Sequence, residues 1–285
     1  MIKRCTFLLA LALLAGCGKP APRTLDRTPE RIISMAPNIT ETVYALGLGS
    51  KLVGATSYCT YPEAARDIPR IGGFGQFNYE AIVSACPDLV ILHKEYEAEQ
   101  ERLSSLGIPF LKTGSYFIAD ILQTIERVGQ TCGAEPEADA LIQDLQNRMA
   151  ELKGQPTNRP RVLITFGGSA GGMSQIHAFG TECIHNELLE LAGGQNVIEG
   201  KLPFSVISKE AVLRLNPDIV IVLAPDLQTP GEVSKQWNTF KGVNAIERSQ
   251  IHILTGSYTC IPGPRFIQTL EDFARVIRQN NFVAE

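Results

Sequence analysis

The sequence predicts an α/β protein of two lobes with mainly parallel sheets, joined by one long helix. Three observations carry that expectation. Glu80 to Leu92 reads EAIVSACPDLVIL and returns as Glu210 to Leu223, EAVLRLNPDIVIVL, at an offset of 130. The same offset carries Arg31-Ile32-Ile33 onto Arg161-Val162-Leu163. A single offset this long is far beyond a solenoid period, so it signals two copies of one domain. Each copy then reads as a short helix, a Pro-Asp turn and an unbroken apolar run (Leu89 to Leu92, Ile219 to Leu223). Such runs mark strands of a parallel sheet covered on both faces. Between the copies, Glu135 to Lys153 has the period of a long helix, apolar at Leu141, Ile142, Leu145 and Met149. A helical linker makes a stiff hinge. Two facing lobes leave a cleft, and function is expected there.

At 285 residues the chain is long enough for two full cores. It is 44% apolar and 20% charged with a net charge of −4, so nucleic acid is not an expected partner. Lys3 and Arg4 precede the apolar run Phe7 to Ala15, which ends in Leu14-Ala15-Gly16-Cys17. This is a secretory leader, too short to span a membrane as a helix. Its end resembles a bacterial lipoprotein box, which implies cleavage before Cys17 and lipidation of that thiol. The expected division is therefore a signal peptide (1–16), a Pro-rich lipidated tether (17–28), an N-terminal lobe (29–133), a connecting helix (134–156) and a C-terminal lobe (157–285). The mature chain is expected outside the cytoplasm, in the periplasm or at the cell surface, anchored to a membrane by lipid. Five cysteines remain beyond Cys17, and an odd number in an exported protein leaves at least one free thiol. One or two disulfides are expected, with Cys86–Cys132 favoured over Cys59–Cys260.

In chain order, Arg31 to Ala36 reads as the first strand, ended by Pro37. Asn38 to Glu41 should cap a helix through Leu46, which Gly47 and Gly49 stop. Lys51 to Ala55 is a second strand leading into the loop SYCTYP at 57–62. Ile71 to Gly75 reads as a glycine-rich loop around Phe74, and Asn78 as the N-cap of the helix carrying Glu80. His93 should open a polar, Glu-rich helix after the strand ending at Leu92. Phe110 to Lys112 is a short strand and Asp120 to Thr131 an amphipathic helix. In the second copy come a strand to Phe166, a glycine-rich loop to Gly172, a helix from Cys183 to Leu191, a strand from Ile251 to Leu254, the turn Ile261 to Arg265, and a closing helix from Phe266 to Gln279.

The lipobox, SYCTYP, GGFGQFNYEAI, PDLVI, the linker helix, FSVISKEAV, PDIVI and PGPR, in that order, resemble the substrate-binding proteins of ABC importers for vitamin B12, iron-siderophores and haem. The resemblance covers essentially the whole mature chain. It implies two Rossmann-like lobes (the class III periplasmic-binding-protein fold), a rigid linker, and a cleft that closes slightly on a bulky ligand. It further implies delivery to a permease dimer by a monomeric, non-enzymatic carrier without a cofactor of its own. Tyr58 stands at an aromatic cleft position of the corrinoid-binding members, and Phe74, His93 and Phe204 stand where those members have tryptophans. Cobalamin or another corrinoid is the first expected cargo, an iron-siderophore or haem the next. Glu80 and Glu210 match the family glutamates that dock onto arginines of the permease.

The residues agree with that placement. Ligands of parallel α/β sheets sit beyond the carboxyl ends of the strands, and Tyr58, His93, Phe166 and Tyr258 each follow a strand. Arg265, in the turn before the closing helix, completes the expected ligand-binding set. Aromatic faces suit a large flat ligand, and His93 or Tyr58 could reach the iron or cobalt of a chelate. Two other readings stay open. Ser169 in GGSAG fits a hydrolase nucleophile elbow after a strand, but Gly172 and a polar loop follow where that motif needs a helix. The four histidines allow a bare metal-ion binder, although no pair has ligand spacing on one element.

Overall fold

A computed structural model describes residues 27–73, 75–154, 159–167, 175–225 and 230–280. The leader, Cys17, most of the tether, Phe74 and Ser169 therefore lie outside the described residues. The N-terminal half runs β1 (Ile32–Ser34), α1 (Pro37–Ala45), β2 (Leu52–Ala55), β3 (Gly72–Gly73), β4 (Gln76–Phe77), α2 (Tyr79–Ser84), β5 (Leu89–His93), α3 (Glu97–Ser105), β6 (Phe110–Thr113) and α4 (Ile118–Cys132). Helix α5 (Glu135–Leu152) follows. The C-terminal half runs β7 (Arg161–Phe166), β8 (Ile176–Phe179), α6 (Ile184–Ala192), β9 (Gln195–Asn196), β10 (Phe204–Ile207), α7 (Lys209–Leu215), β11 (Ile219–Leu223), α8 (Pro230–Trp237), α9 (Asn244–Glu247), β12 (Ile251–Leu254) and α10 (Phe266–Asn280). The first main sheet has the order β2-β1-β5-β6 and is wholly parallel.

The second sheet, in the order β10-β8-β7-β11-β12, is mixed: β8 runs against β7, and β10 against β8. β7 ends at Phe166 and β8 starts at Ile176, and a parallel return needs a crossover of about a dozen residues or more. Other boundaries also move. Pro37 opens α1 instead of ending a strand, a place where its missing N–H costs nothing. The cap is Ala36, and Asn38 is buried within the helix, so the expected Asn38 cap does not form. His93 is the last residue of β5, and the polar helix waits until Glu97. The glycine-rich stretch before Asn78 is a two-stranded hairpin, β3 against β4. Gly72 has φ +114°, and a Cβ there would collide with the Gln76 carbonyl oxygen, so only glycine fits.

The repeated motif turns out to be a joint between helix and strand. Asp88 accepts hydrogen bonds from the amides of Glu30 and Arg31 (2.9 and 2.8 Å), and Asp218 accepts one from that of Arg161 (3.0 Å). The guanidinium of Arg31 donates to the Ala85 carbonyl at 2.7 Å, and that of Arg161 to the Leu215 carbonyl at 2.8 Å, satisfying open carbonyls at the ends of α2 and α7. Cys86 and Asn216, again 130 apart, both take left-handed backbone at φ 44° and 42°. Asn78 and Ser208 cap the two helices through the amides of Ala81 and Ala211. Thus the duplicated residues are first of all a fold device.

One apolar core runs through both halves, from Ile32 and Ile39 through Leu145 of α5 to Phe266 and Phe273 of α10. Helix α5 packs on α4, α10 and α6, and Arg148 on it pairs with Glu271 of α10 at 2.6 Å. Pro136 sits in its first turn, where proline is tolerated. The linker is clamped along its length. All five described cysteines are free. The expected Cys86–Cys132 bridge is absent because Cys86 lies exposed on its turn while Cys132 is 1% exposed in the core. Burial pushes the thiols of Cys132 and Cys260 up to about 11, so both are inert at neutral pH.

Candidate functional site

The carboxyl ends of the two sheets meet. Glu41 on α1, just past β1, accepts both Nε (2.9 Å) and Nη2 (2.5 Å) of Arg265, which lies in the turn following β12. The two side chains are 2% and 11% exposed, and 224 residues separate them in sequence. Arg265 also donates to Ser257 Oγ at 3.3 Å and lies 3.7 Å from the ring centre of Tyr61. Burial raises the Glu41 carboxyl, against the pull of the Arg265 guanidinium. A second joint forms where the Ile118 amide, at the start of α4, donates to Glu187 of α6 at 2.6 Å. Glu187 thus caps a helix of the other half, and its own burial raises its pKa.

The described aromatic residues expected to hold a ligand come from both halves. Tyr58 is 62% exposed, its ring against Gly73 of the β3–β4 hairpin. Phe166 at the end of β7 is 49% exposed, and Phe204 at the start of β10 is 56% exposed. The Phe204 ring tilts against that of the buried Phe179 at 5.1 Å, and much of its surface stays open. His93 is half-buried at the end of β5, its ring edge-on to Tyr96 at 5.8 Å and Nδ1 3.5 Å from Thr113 Oγ1. Tyr258 is half-buried with its hydroxyl turned to Asp272 of α10 at 2.7 Å. Arg265 faces Glu41, so most of its donors serve the joint between halves. Sequence reasoning missed Glu41, Tyr61 and Glu187. A buried acid in an apolar helix face was the only signal, and it names no partner.

Glu80 and Glu210 are both exposed in the first turns of α2 and α7. The Ser208 hydroxyl, the nearby backbone amide and Lys209 hold the Glu210 carboxyl below its usual range. An open groove of about 670 Å³ runs elsewhere, between the end of α5 and α6, lined by Met149, Lys153, Arg159, Glu187 and Glu190. It holds none of the aromatic set. Among the described residues, no group of three or more His, Cys, Asp or Glu could hold a metal ion.

Burial lowers both His93 and His185 to about 4, and for His185 a bond to the Thr259 carbonyl (2.7 Å) opposes the effect. Both are neutral in the folded chain at pH 5–8, whereas the unfolded chain takes up their protons near 6.5. Stability is therefore full above about pH 6.5 and falls as the pH drops toward 4, by about 2 kcal/mol per histidine at pH 5. Urea unfolding at pH 7 and pH 5 measures this. A His185→Gln variant should lose the His185 share of the difference, about 2 kcal/mol, and an unchanged difference would show that His185 is not buried neutral.

Comparison with known proteins fits this architecture. A family model described as periplasmic binding protein matches residues 32–258. An ABC transporter substrate-binding lipoprotein of Bacillus subtilis, YvrC, is 26% identical over 306 aligned positions, covering 96% of each chain. The vitamin B12-binding protein of Yersinia pestis is 27% identical over 213 positions, 73% of this chain and 74% of that one. Among solved structures, the periplasmic heme-binding protein RhuT from Roseiflexus sp. RS-1 superposes with a TM-score of 0.75 at 26% identity, over 88% of this chain and 99% of that one. The B12-binding protein BtuF of Vibrio cholerae has the same fold, with a TM-score of 0.71 at 24% identity over 88% and 97%. With most of its length matched by the family model, this chain belongs to the periplasmic binding protein family.

Proposed function

We propose that this substrate-binding protein captures a large metal chelate between its two halves and hands it to the permease of an ABC importer. A corrinoid is the first candidate, an iron-siderophore or haem the next, in keeping with what the relatives are named for. The observation that carries the reading is the exposure of Tyr58 just past β2, Phe166 at the end of β7 and Phe204 at the start of β10, three large rings from both halves left in water. Folding alone gives no reason to expose them together, and a flat macrocycle would cover all three. His93, neutral across physiological pH, offers an imidazole nitrogen to cobalt or iron, while Phe74, Tyr258 and Arg265 complete the wall. Lipidation at Cys17 would hold the chain at a membrane outside the cytoplasm, as a monomer, with Glu80 and Glu210 docking on a permease dimer.

Calorimetric and visible titration with cyanocobalamin, cobinamide, haemin and ferric siderophores tests the proposal. One chelate should bind at one per chain (or as a stacked pair, for haem). Tyr58→Ala and Phe204→Ala should each weaken it by roughly tenfold, the worth of one aromatic contact. Silence from every chelate, with binding of a small oxyanion or a free metal ion, would overturn it.

A further inference from the structure

The duplicated segment carries more than two glutamates. From Gln76 to Ser84 and from Val206 to Arg214 the degree of exposure matches at all nine positions, so α2 and α7 present the same face. On α2, Val83 lies one turn beyond Glu80; on α7, Leu213 lies one turn beyond Glu210. Val83 is 47% exposed and Leu213 40% exposed, while the neighbouring Ile82 and Val212 are each 0% exposed. A lone aliphatic side chain in water is ordinary on any surface. The same type at the same register in both halves, each time beside the same acid, is not required by packing, because Ile82 and Val212 already anchor the two helices. In the C-terminal half, Val206 on the edge strand β10 is also 58% exposed.

We infer that Val83 and Leu213 are apolar anchors of the transporter-docking surface, each paired with the glutamate one turn before it. The inference rests on the proposed docking of Glu80 and Glu210. Its occupant is the dimeric permease: a chain that shows one face twice fits a partner that shows one complementary face twice. That partner would offer, on each subunit, a basic side chain and an apolar recess about 5 Å apart, one helical turn. The two kinds of residue divide the work. Exposed charges raise the rate of encounter and set register, whereas aliphatic side chains desolvated at the contact slow dissociation.

That division gives the test. The full chain, without chelate, is measured for association with the permease–ATPase complex in nanodiscs, comparing the parent with Val83→Ser, Leu213→Ser, both together, and Glu80→Gln with Glu210→Gln. Thermal midpoints of all variants should stay near that of the parent, since the positions are exposed. The aliphatic double variant should dissociate roughly 10–100-fold faster at nearly unchanged association rate, with each single variant giving part of the loss. The glutamine pair should chiefly slow association and remove its salt dependence. If the aliphatic double variant dissociates like the parent while the glutamine pair is impaired, the inference falls and the docking reading stands. If neither set changes binding, the docking reading falls and takes the inference with it. An effect confined to Leu213 would refute the two-fold arrangement.

Discussion

Replacing Arg265 with alanine should lower the free energy of unfolding by about 3–5 kcal/mol, the cost of leaving one partner of a buried ion pair alone. The carboxylate of Glu41, 2% exposed, would lose both of its charge-assisted hydrogen bonds. Burial already pushes its pKa up, so it would answer by taking up a proton, which limits the loss. Tyr61 would lose the guanidinium that lies over its ring. The effect of Glu41→Ala should be of the same size, because it strands the guanidinium instead. Removing both charges in a Glu41→Leu, Arg265→Met variant should recover most of the loss, since apolar replacements of a buried pair are often close to neutral. Urea unfolding of the parent, Glu41→Leu, Arg265→Met and this double variant forms a double-mutant cycle. Additive losses would show that the pair does not act as a unit. Because the pair joins the two halves, chelate binding by the rescued variant also reports whether Arg265 contacts the ligand itself. Full affinity would make it a joint alone.

Charge reversal of both glutamates, Glu80→Lys with Glu210→Lys, should abolish uptake in cells while chelate affinity and folding remain close to those of the parent. Both side chains are exposed in the first turns of α2 and α7. An acid there also complements the helix dipole, but that effect is modest beside the repulsion of two misplaced cations at a charge-matched interface. Transport of the chelate identified by titration, measured beside equilibrium binding to the purified variant, separates the roles. Continued transport would show that the glutamates only cap their helices. Lost chelate affinity would place them in the ligand site instead.

The two-copy architecture was legible because its signals are local. Helix, turn and strand sit within one motif, and the copy 130 residues on repeats the Asp88 and Asp218 hydrogen bonds, the Asn78 and Ser208 caps and the left-handed Cys86 and Asn216. The cap expected at Asn38 failed for a physical reason: Pro37 is itself well suited to a helix's first turn, so the cap falls two residues earlier, at Ala36. The hairpin around Gly72 read as loop because two-residue strands show no period. The strand β10 was missed for a related reason: it is exposed and apolar on the same face, so its alternation points away from the core.

What the sequence by itself determined is the family, the duplicated helix–turn–strand joint and the position of Tyr58, His93, Phe166 and Tyr258 at or just past strand ends. Tertiary structure alone decided which of these side chains stay open. It turned Tyr258 onto Asp272, closed Arg265 onto Glu41, left five thiols unpaired and sent β8 back antiparallel. Spacing along a chain states how a residue sits on its own helix or strand, because that period is set by backbone geometry. A contact such as Glu41 with Arg265, 224 residues apart, depends instead on how whole elements pack.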